Sequence, residues 1–392
     1  MTAPVLFSTL ATADGRQLGV ATLNTEKTLN ALSMNMVQLL AAQLQAWKTD
    51  PAIAIVILQA AGEKAFCAGG DLQNLYASMR SHHTSERAGD VLANPYALDF
   101  FAQEYRLDYL VHTYAKPILC WGHGIVMGGG IGLMAGASHR VVTEKSRLAM
   151  PEIAIGLFPD VGGTWFLSRM PGKLGLFLAL TGASINASDA LFVKLADEVL
   201  PQASKADVLT ALQCTKWSNH ADQNHQRLSQ VLSAFAAESS DTAGPLRNNF
   251  DLINRLCSAP DLPTIVAQIL AVDAAQQEEY PWLQKAVSSL QKGSPTSVWL
   301  AHALQARGKY LSLAEVFRME LIAALVCAQN HDFVEGIRAL IMDKDQKPQW
   351  LPDSLDDLQV QDGERYFTSP WAAGQHPLGD LGSVEELQRQ AA

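Results

Sequence analysis

Apolar positions along the first two hundred residues change period repeatedly. Leu18 to Asn24 reads as a strand, and Ala52 to Gln59 is a continuous apolar run, the pattern of a strand buried on both faces. Between them Met34, Val37, Leu40, Leu44 and Trp47 fall at helical spacing behind Ser33, which can cap the helix. The pattern predicts another helix from about Asp99 to Tyr114, then short strands at Pro117 to Trp121, His139 to Thr143 and Arg147 to Met150. From about Asp189 onward it is mostly helical, with a loop at Ser239 to Pro245 and breaks at Pro260, Pro263, Pro281 and Pro295. The Pro-, Asp- and Gly-rich tail after Lys347 is expected to wrap the surface. The expected organisation is an α/β core over residues 1–200 and a mainly helical region over 201–392 packed on it.

One stretch could mislead. Ile118 to Ser138 is as long as a membrane span, carries no fixed charge and spaces Gly128 and Gly132 as packed membrane helices do. It also holds seven glycines and follows Pro117. Each glycine weakens an aqueous helix by about 1 kcal/mol relative to alanine. Strand, glycine loop and a closely packed helix is the better reading.

Composition narrows the function. With 48% hydrophobic and 17% charged residues, the chain is that of a folded globular protein. A net charge of -10 argues against a nucleic-acid surface, while a few lysines and helix N-termini can still hold a phosphorylated small ligand. The five cysteines (Cys67, Cys120, Cys214, Cys257 and Cys327) are scattered, so neither a disulfide framework nor a zinc site is implied. Met1 to Leu10 shows no basic stretch ahead of an apolar one, and no membrane association or targeting is expected, giving a cytoplasmic location.

The candidate chemistry centres on two glycine turns. Gly128-Gly129-Gly130 stands at a helix start, where N–H groups are unpaired and glycines let a ligand oxygen approach the backbone. Ala68-Gly69-Gly70-Asp71 follows a strand, and Asp71 can cap the next helix. Facing one another, the Gly70 and Gly129 N–H groups would stabilise an oxyanion. Glu152 and Asp160 bracket an apolar run, which suits either buried anchors or acids with raised pKa. Glu104 shares a helix face with Phe100, Leu107 and Val111; its plain alternative is an ion pair with Arg106. Cys67 reads as a small core residue rather than a nucleophile, and Gly122-His123-Gly124 departs from the dinucleotide-binding spacing.

In combination, Asn30-Ala31-Leu32, the turn Phe66 to Asp71, Gly128-Gly129-Gly130 and Pro151-Glu152 followed by Gly156 resemble the crotonase (enoyl-CoA hydratase/isomerase) superfamily. The resemblance implies an α/β fold, a crotonase-like spiral of ββα units followed by a mainly helical C-terminal half. It implies an acyl-CoA thioester as substrate and an oxyanion hole at Gly70 and Gly129. Coenzyme A would bind around the first turn, making Ala68, Asp71, Lys64 and Lys27 binding candidates. Coenzyme A enters as part of the substrate, so no separate cofactor or metal is implied, and a homo-oligomer is possible for such a fold.

The departures carry more information. Hydratases of the superfamily have two glutamates; here the first position is Gly132 and the second is Glu152, while Asp160 stands where they have glycine. That exchange resembles the branch acting on 3-hydroxyisobutyryl-CoA, and the likeness continues through Phe101 to Tyr105, Gly172 to Gly175, Ser294 to Ser297, His331 to Gly336 and Asp343 to Asp345. It implies hydrolysis of a short branched 3-hydroxyacyl-CoA thioester, a step of valine breakdown. Glu152 would activate water or attack the carbonyl, Asp160 would be its partner acid, and Glu104 would accept a hydrogen bond from the 3-hydroxyl. The competing readings are a hydratase or isomerase of the same fold, a CoA-binding protein without catalysis, and a dehydrogenase.

Overall fold

The computed structural model describes residues 3–236, 244–272, 281–358 and 363–383. Strands β1 (Val5–Ala11), β2 (Gln17–Leu23), β3 (Ile53–Ala60), β5 (Ile118–Gly122), β7 (His139–Val142) and β9 (Glu198–Val199) form one sheet in that order. Strands β4 (Ala65–Cys67), β6 (Ile125–Met127) and β8 (Arg147–Ala149) form a second. Among these strands the β1–β2 pair alone is antiparallel. The successive pairs β3–β4, β5–β6 and β7–β8 each add one strand to each sheet, while β1, β2 and β9 extend the first alone; the helices α1 (Met34–Thr49), α2 (Leu72–His83), α3 (Pro95–His112) and α4 (Gly129–Ala135) connect the strands.

The continuous apolar run of β3 is explained by burial on both faces. Val56 and Leu58 point into the main core, whereas Ile55 and Ile57 pack beneath the helices Lys205–Cys214 and Ala221–Ser233, through Val208, Leu212, Leu228 and Leu232. The helical half is therefore not a separate body: the main core includes Leu23, Phe158, Phe317 and Leu381 in one cluster.

Several expectations need adjustment. The glycine-rich stretch 118–138 resolves into β5, the short strand β6 and a seven-residue helix, so a strand is present inside what read as a glycine loop. Strand β1, a half-exposed edge strand, escaped the sequence pattern altogether. Helix α3 starts at Pro95, with Asn94 as cap, rather than near Asp99; proline at the first helical position fits because its missing N–H has no partner there. The loop expected at Ser239 to Pro245 lies outside the described residues as far as residue 243. The described part of the tail is largely exposed but anchored: Tyr366, Leu378 and Leu381 are buried in the core, and Arg106 of α3 holds Asp380 through two hydrogen bonds of 2.8 and 2.7 Å. Among the described residues no helix is long and apolar enough to cross a membrane.

Candidate active site

The two glycine turns meet. The buried Asn30 ties the first in place: its side-chain amide donates to the Ala61 and Ala65 carbonyls and its Oδ1 accepts from Thr25 N–H. Leu32 then pairs with the turn, donating to the Gly69 carbonyl (2.8 Å) and accepting from Asp71 N–H (3.0 Å), so the Gly70 N–H takes no part in that bridge. Gly69 (φ +110°) and Gly128 (φ +48°) both require glycine's freedom. A β-carbon built on Gly128 would lie 3.6 Å from the Gly69 Cα, and one on Gly129 would lie 3.7 Å from the Gly70 nitrogen. Gly129 is the first residue of α4, where an N–H has no partner within the helix.

Around this point lies a cavity of about 250 Å³, lined by both turns, Phe100, Glu104, Glu152, Asp160 and Val161 and, from the helical half, by Phe333, Leu340 and Ile341. That volume falls below the roughly 300–1,000 Å³ of sites for drug-sized molecules, and suits a small acyl head group. Glu152 starts the short 3-10 turn Glu152–Ile155, closed by Gly156 at φ +76°. The chain runs hard against Gly156, where a β-carbon would meet the Asp332 backbone at 2.3 Å. Glu152 Oε1 faces Gly128, and Oε2 is buried without a hydrogen-bond partner among the described residues. Asp160 accepts a 2.7 Å hydrogen bond from the buried Tyr105 hydroxyl.

Burial raises every acid here. It pushes Glu152 well above the usual carboxylate range, and the nearby Asp160 charge adds to the effect. Asp160 is raised by burial to about 6, with the Tyr105 hydrogen bond acting in the opposite direction. Glu104 is raised well above its usual range by burial and then by Asp160, and its Oε1 would lie 2.5 Å from a β-carbon on Gly129. One negative charge is therefore easier to hold in the cavity than two or three, and Tyr105 draws it toward Asp160.

The structure brings Gly70, Gly129, Glu104, Glu152, Asp160 and Ala68 to one cavity and leaves the other candidates outside it. Lys64 and Lys27 are exposed and do not line the cavity; Lys64 precedes β4 and Lys27 lies in the turn Glu26–Thr28, which packs on Gly62. Asp71 does not line the cavity; its carboxylate accepts from Asn74 N–H and side chain as the cap of α2. The Glu104–Arg106 ion pair does not form, since Arg106 turns to Asp380. Burial pushes the Cys67 thiol up to about 12, which suits a core residue and not a nucleophile.

Three residues escaped the sequence reading. Tyr105 holds Asp160. Asp108, one helical turn beyond Glu104, is fully buried with neither oxygen hydrogen-bonded among the described residues. Glu320, also fully buried, accepts from the Gly162 and Thr164 amides. For the two acids the available signal was the one that marked Glu104, a carboxylate within an apolar helix face.

A family model described as enoyl-CoA hydratase/isomerase matches residues 18–367. The chain is 39% identical to a Danio rerio protein named 3-hydroxyisobutyryl-CoA hydrolase, mitochondrial, across 90% of this chain and 87% of that one. It is 36% identical to the Homo sapiens protein of the same name, across 90% and 86%. Among solved structures, a carnitinyl-CoA dehydratase from Mycobacterium thermoresistibile aligns with TM-score 0.79 and 33% identity over 93% of this chain and 96% of that one. An enoyl-CoA hydratase from Rhodobacter sphaeroides aligns with TM-score 0.78 and 32% identity over 93% and 97%. The mitochondrial names lend no support to the cytoplasmic location expected from the sequence.

Proposed function

The chain belongs to the enoyl-CoA hydratase/isomerase family, and from that premise we propose that it hydrolyses a short branched 3-hydroxyacyl-CoA thioester. The leading substrate is 3-hydroxyisobutyryl-CoA, the compound in the names of relatives that match nearly the whole chain. The observation that carries this reading is the pair of buried acids, Glu152 and Asp160, lining one cavity with Gly70 and Gly129 while Gly132 has no side chain to offer.

The thioester oxygen binds between the Gly70 and Gly129 N–H groups, which hold the negative charge that develops when the carbonyl is attacked. Loss of one such donor typically raises a barrier by about 2.7–4 kcal/mol. Two acids sharing one proton provide both functions that hydrolysis needs. In the direct route, the ionised member takes a proton from water as the C–O bond forms, and a proton from the pair passes to the departing thiolate as the C–S bond breaks. In the covalent route, Glu152 attacks the carbonyl, the C–S bond breaks to leave an anhydride, and water then cleaves it. Glu104, facing Gly129, accepts a hydrogen bond from the substrate's 3-hydroxyl and disfavours acyl groups lacking it. Lys64 and Lys27 lie on the outer surface, where the CoA phosphates would run.

A hydratase is the second reading, favoured by the names of the two solved structures that align along the chain. Against it stands Gly132, where that chemistry needs a second glutamate beside Glu152. Replacing Glu152 by glutamine separates catalysis from binding. Thiol release from 3-hydroxyisobutyryl-CoA should be lost while CoA-ester binding persists; unchanged turnover would remove Glu152 from the mechanism.

A further inference from the structure

The backbone directly after Asp160 is strained. Val161 has φ +51° and Gly162 +84°. A β-branched residue in the left-handed region is a real outlier, and such strain persists only where the surroundings impose it. Val161 is wedged in place, since a β-carbon on Gly132 would stand 2.7 Å from its own Cβ. The rest of the restraint comes from far along the chain. Glu320, on the helix Leu313–Gln329, is fully buried and accepts hydrogen bonds from Gly162 N–H (2.8 Å) and Thr164 N–H (2.9 Å), one on each oxygen. Between these two amides, Gly163 N–H donates to the Asp160 carbonyl at 2.6 Å. The side chain of Asp160 is fixed separately, by Tyr105.

We propose that Glu320 is a positioning residue: through its two backbone hydrogen bonds it locks the strained Val161–Thr164 turn and so sets where the Asp160 carboxyl points. A serine or asparagine would satisfy these amides as a neutral local cap. A buried acid does so less comfortably, because burial and the neighbouring Asp160 charge both raise its pKa. A carboxylate has the advantage of gripping two amides at once from a rigid helix. The helical half thus acts on the chemistry by holding one of the reacting acids from behind, as well as by lining the cavity. The inference rests on the reading of Asp160 as a reacting acid.

The test compares four full-length proteins, wild type, Glu320→Gln, Asp160→Asn and Leu325→Ala, by thermal midpoint and by thiol release from 3-hydroxyisobutyryl-CoA at a temperature where all are folded. Leu325, buried on the same helix, controls for simple loss of stability. The expected result for Glu320→Gln is a kcat lowered roughly 10- to 100-fold, as for a displaced catalytic group, with KM changed less than about threefold. Leu325→Ala should keep its kcat although its midpoint falls. Wild-type kcat in Glu320→Gln, or an equal kcat loss in Leu325→Ala, overturns the proposal. If Glu320→Gln does not fold, the shorter Glu320→Asp decides, and wild-type kcat there overturns it equally. An active Asp160→Asn refutes the reading of Asp160, whereas an inactive Asp160→Asn beside a fully active Glu320→Gln refutes the positioning role alone.

Discussion

The Oδ2 atom of Asp108 lies 2.9 Å from the point where a β-carbon on Gly132 would stand, and Val161 Cβ lies 2.7 Å from the same point. The position at which a two-glutamate hydratase carries its first acid is thus filled from outside by two other side chains. Gly132→Ala should lower stability by about 1–3 kcal/mol, because a β-branched neighbour on strained backbone cannot yield easily. Denaturant unfolding measures this; an unchanged midpoint would mean the space is looser than the geometry requires.

Asp108 itself has an unusual pH signature. Burial, then the charges of Glu104, Asp160 and Glu320, raise its pKa well above the ordinary aspartate value, and neither oxygen has a partner among the described residues. A group whose folded pKa lies above its unfolded value contributes stability that is full at low pH and is lost as pH rises from the unfolded value, about 3.9, toward the folded one. Asp108→Asn should therefore stabilise the protein at neutral pH by about 1–3 kcal/mol, the gain fading toward pH 4. A gain that is absent at pH 7, or that does not vary with pH, contradicts this account.

Tyr105→Phe removes the side-chain hydrogen bond that favours ionised Asp160. The Asp160 pKa, about 6 with that bond in place, should then rise further. Since turnover needs one ionised member of the acid pair, activity falls as pH drops through this value. The acid limb of kcat/KM for thiol release should shift to higher pH in the variant. A limb that stays in place would separate Tyr105 from the titrating group.

Gly129→Ala places a methyl 2.5 Å from Glu104 Oε1 and 3.7 Å from the Gly70 nitrogen, in the space that the proposed function assigns to the thioester carbonyl. Turnover should fall by roughly 100-fold or more, in line with loss of an oxyanion donor, while the protein remains folded. Steady-state kinetics beside circular dichroism checks both halves, and a fully active folded variant would place the carbonyl elsewhere.

What the sequence made visible was what repeats locally. The double burial of β3, the cap at Ser33, the glycine turns and the misplaced acid at Glu104 each show within a dozen residues. The strands β1 and β6 did not, because one is a half-exposed edge and the other has three residues paired only with distant strands. Asp108 shares the Glu104 face one turn on, but what it packs against shows only when α4 is laid against α3: β-carbons on Gly129, Gly132 and Gly136 would meet Glu104, Asp108 and His112, which makes that stripe interior. Glu320 reaches its amides across 158 residues of chain, a separation no local pattern spans.

The central claim is that the cavity splits a thioester and does not hydrate a double bond. The most direct measurement follows free thiol and enoyl absorbance together after mixing the protein with 3-hydroxyisobutyryl-CoA and, separately, with crotonyl-CoA. The account predicts thiol release from the first at a rate far above the uncatalysed one, and neither thiol release nor loss of enoyl absorbance from the second. Hydration of crotonyl-CoA with no thiol released from either compound would contradict it.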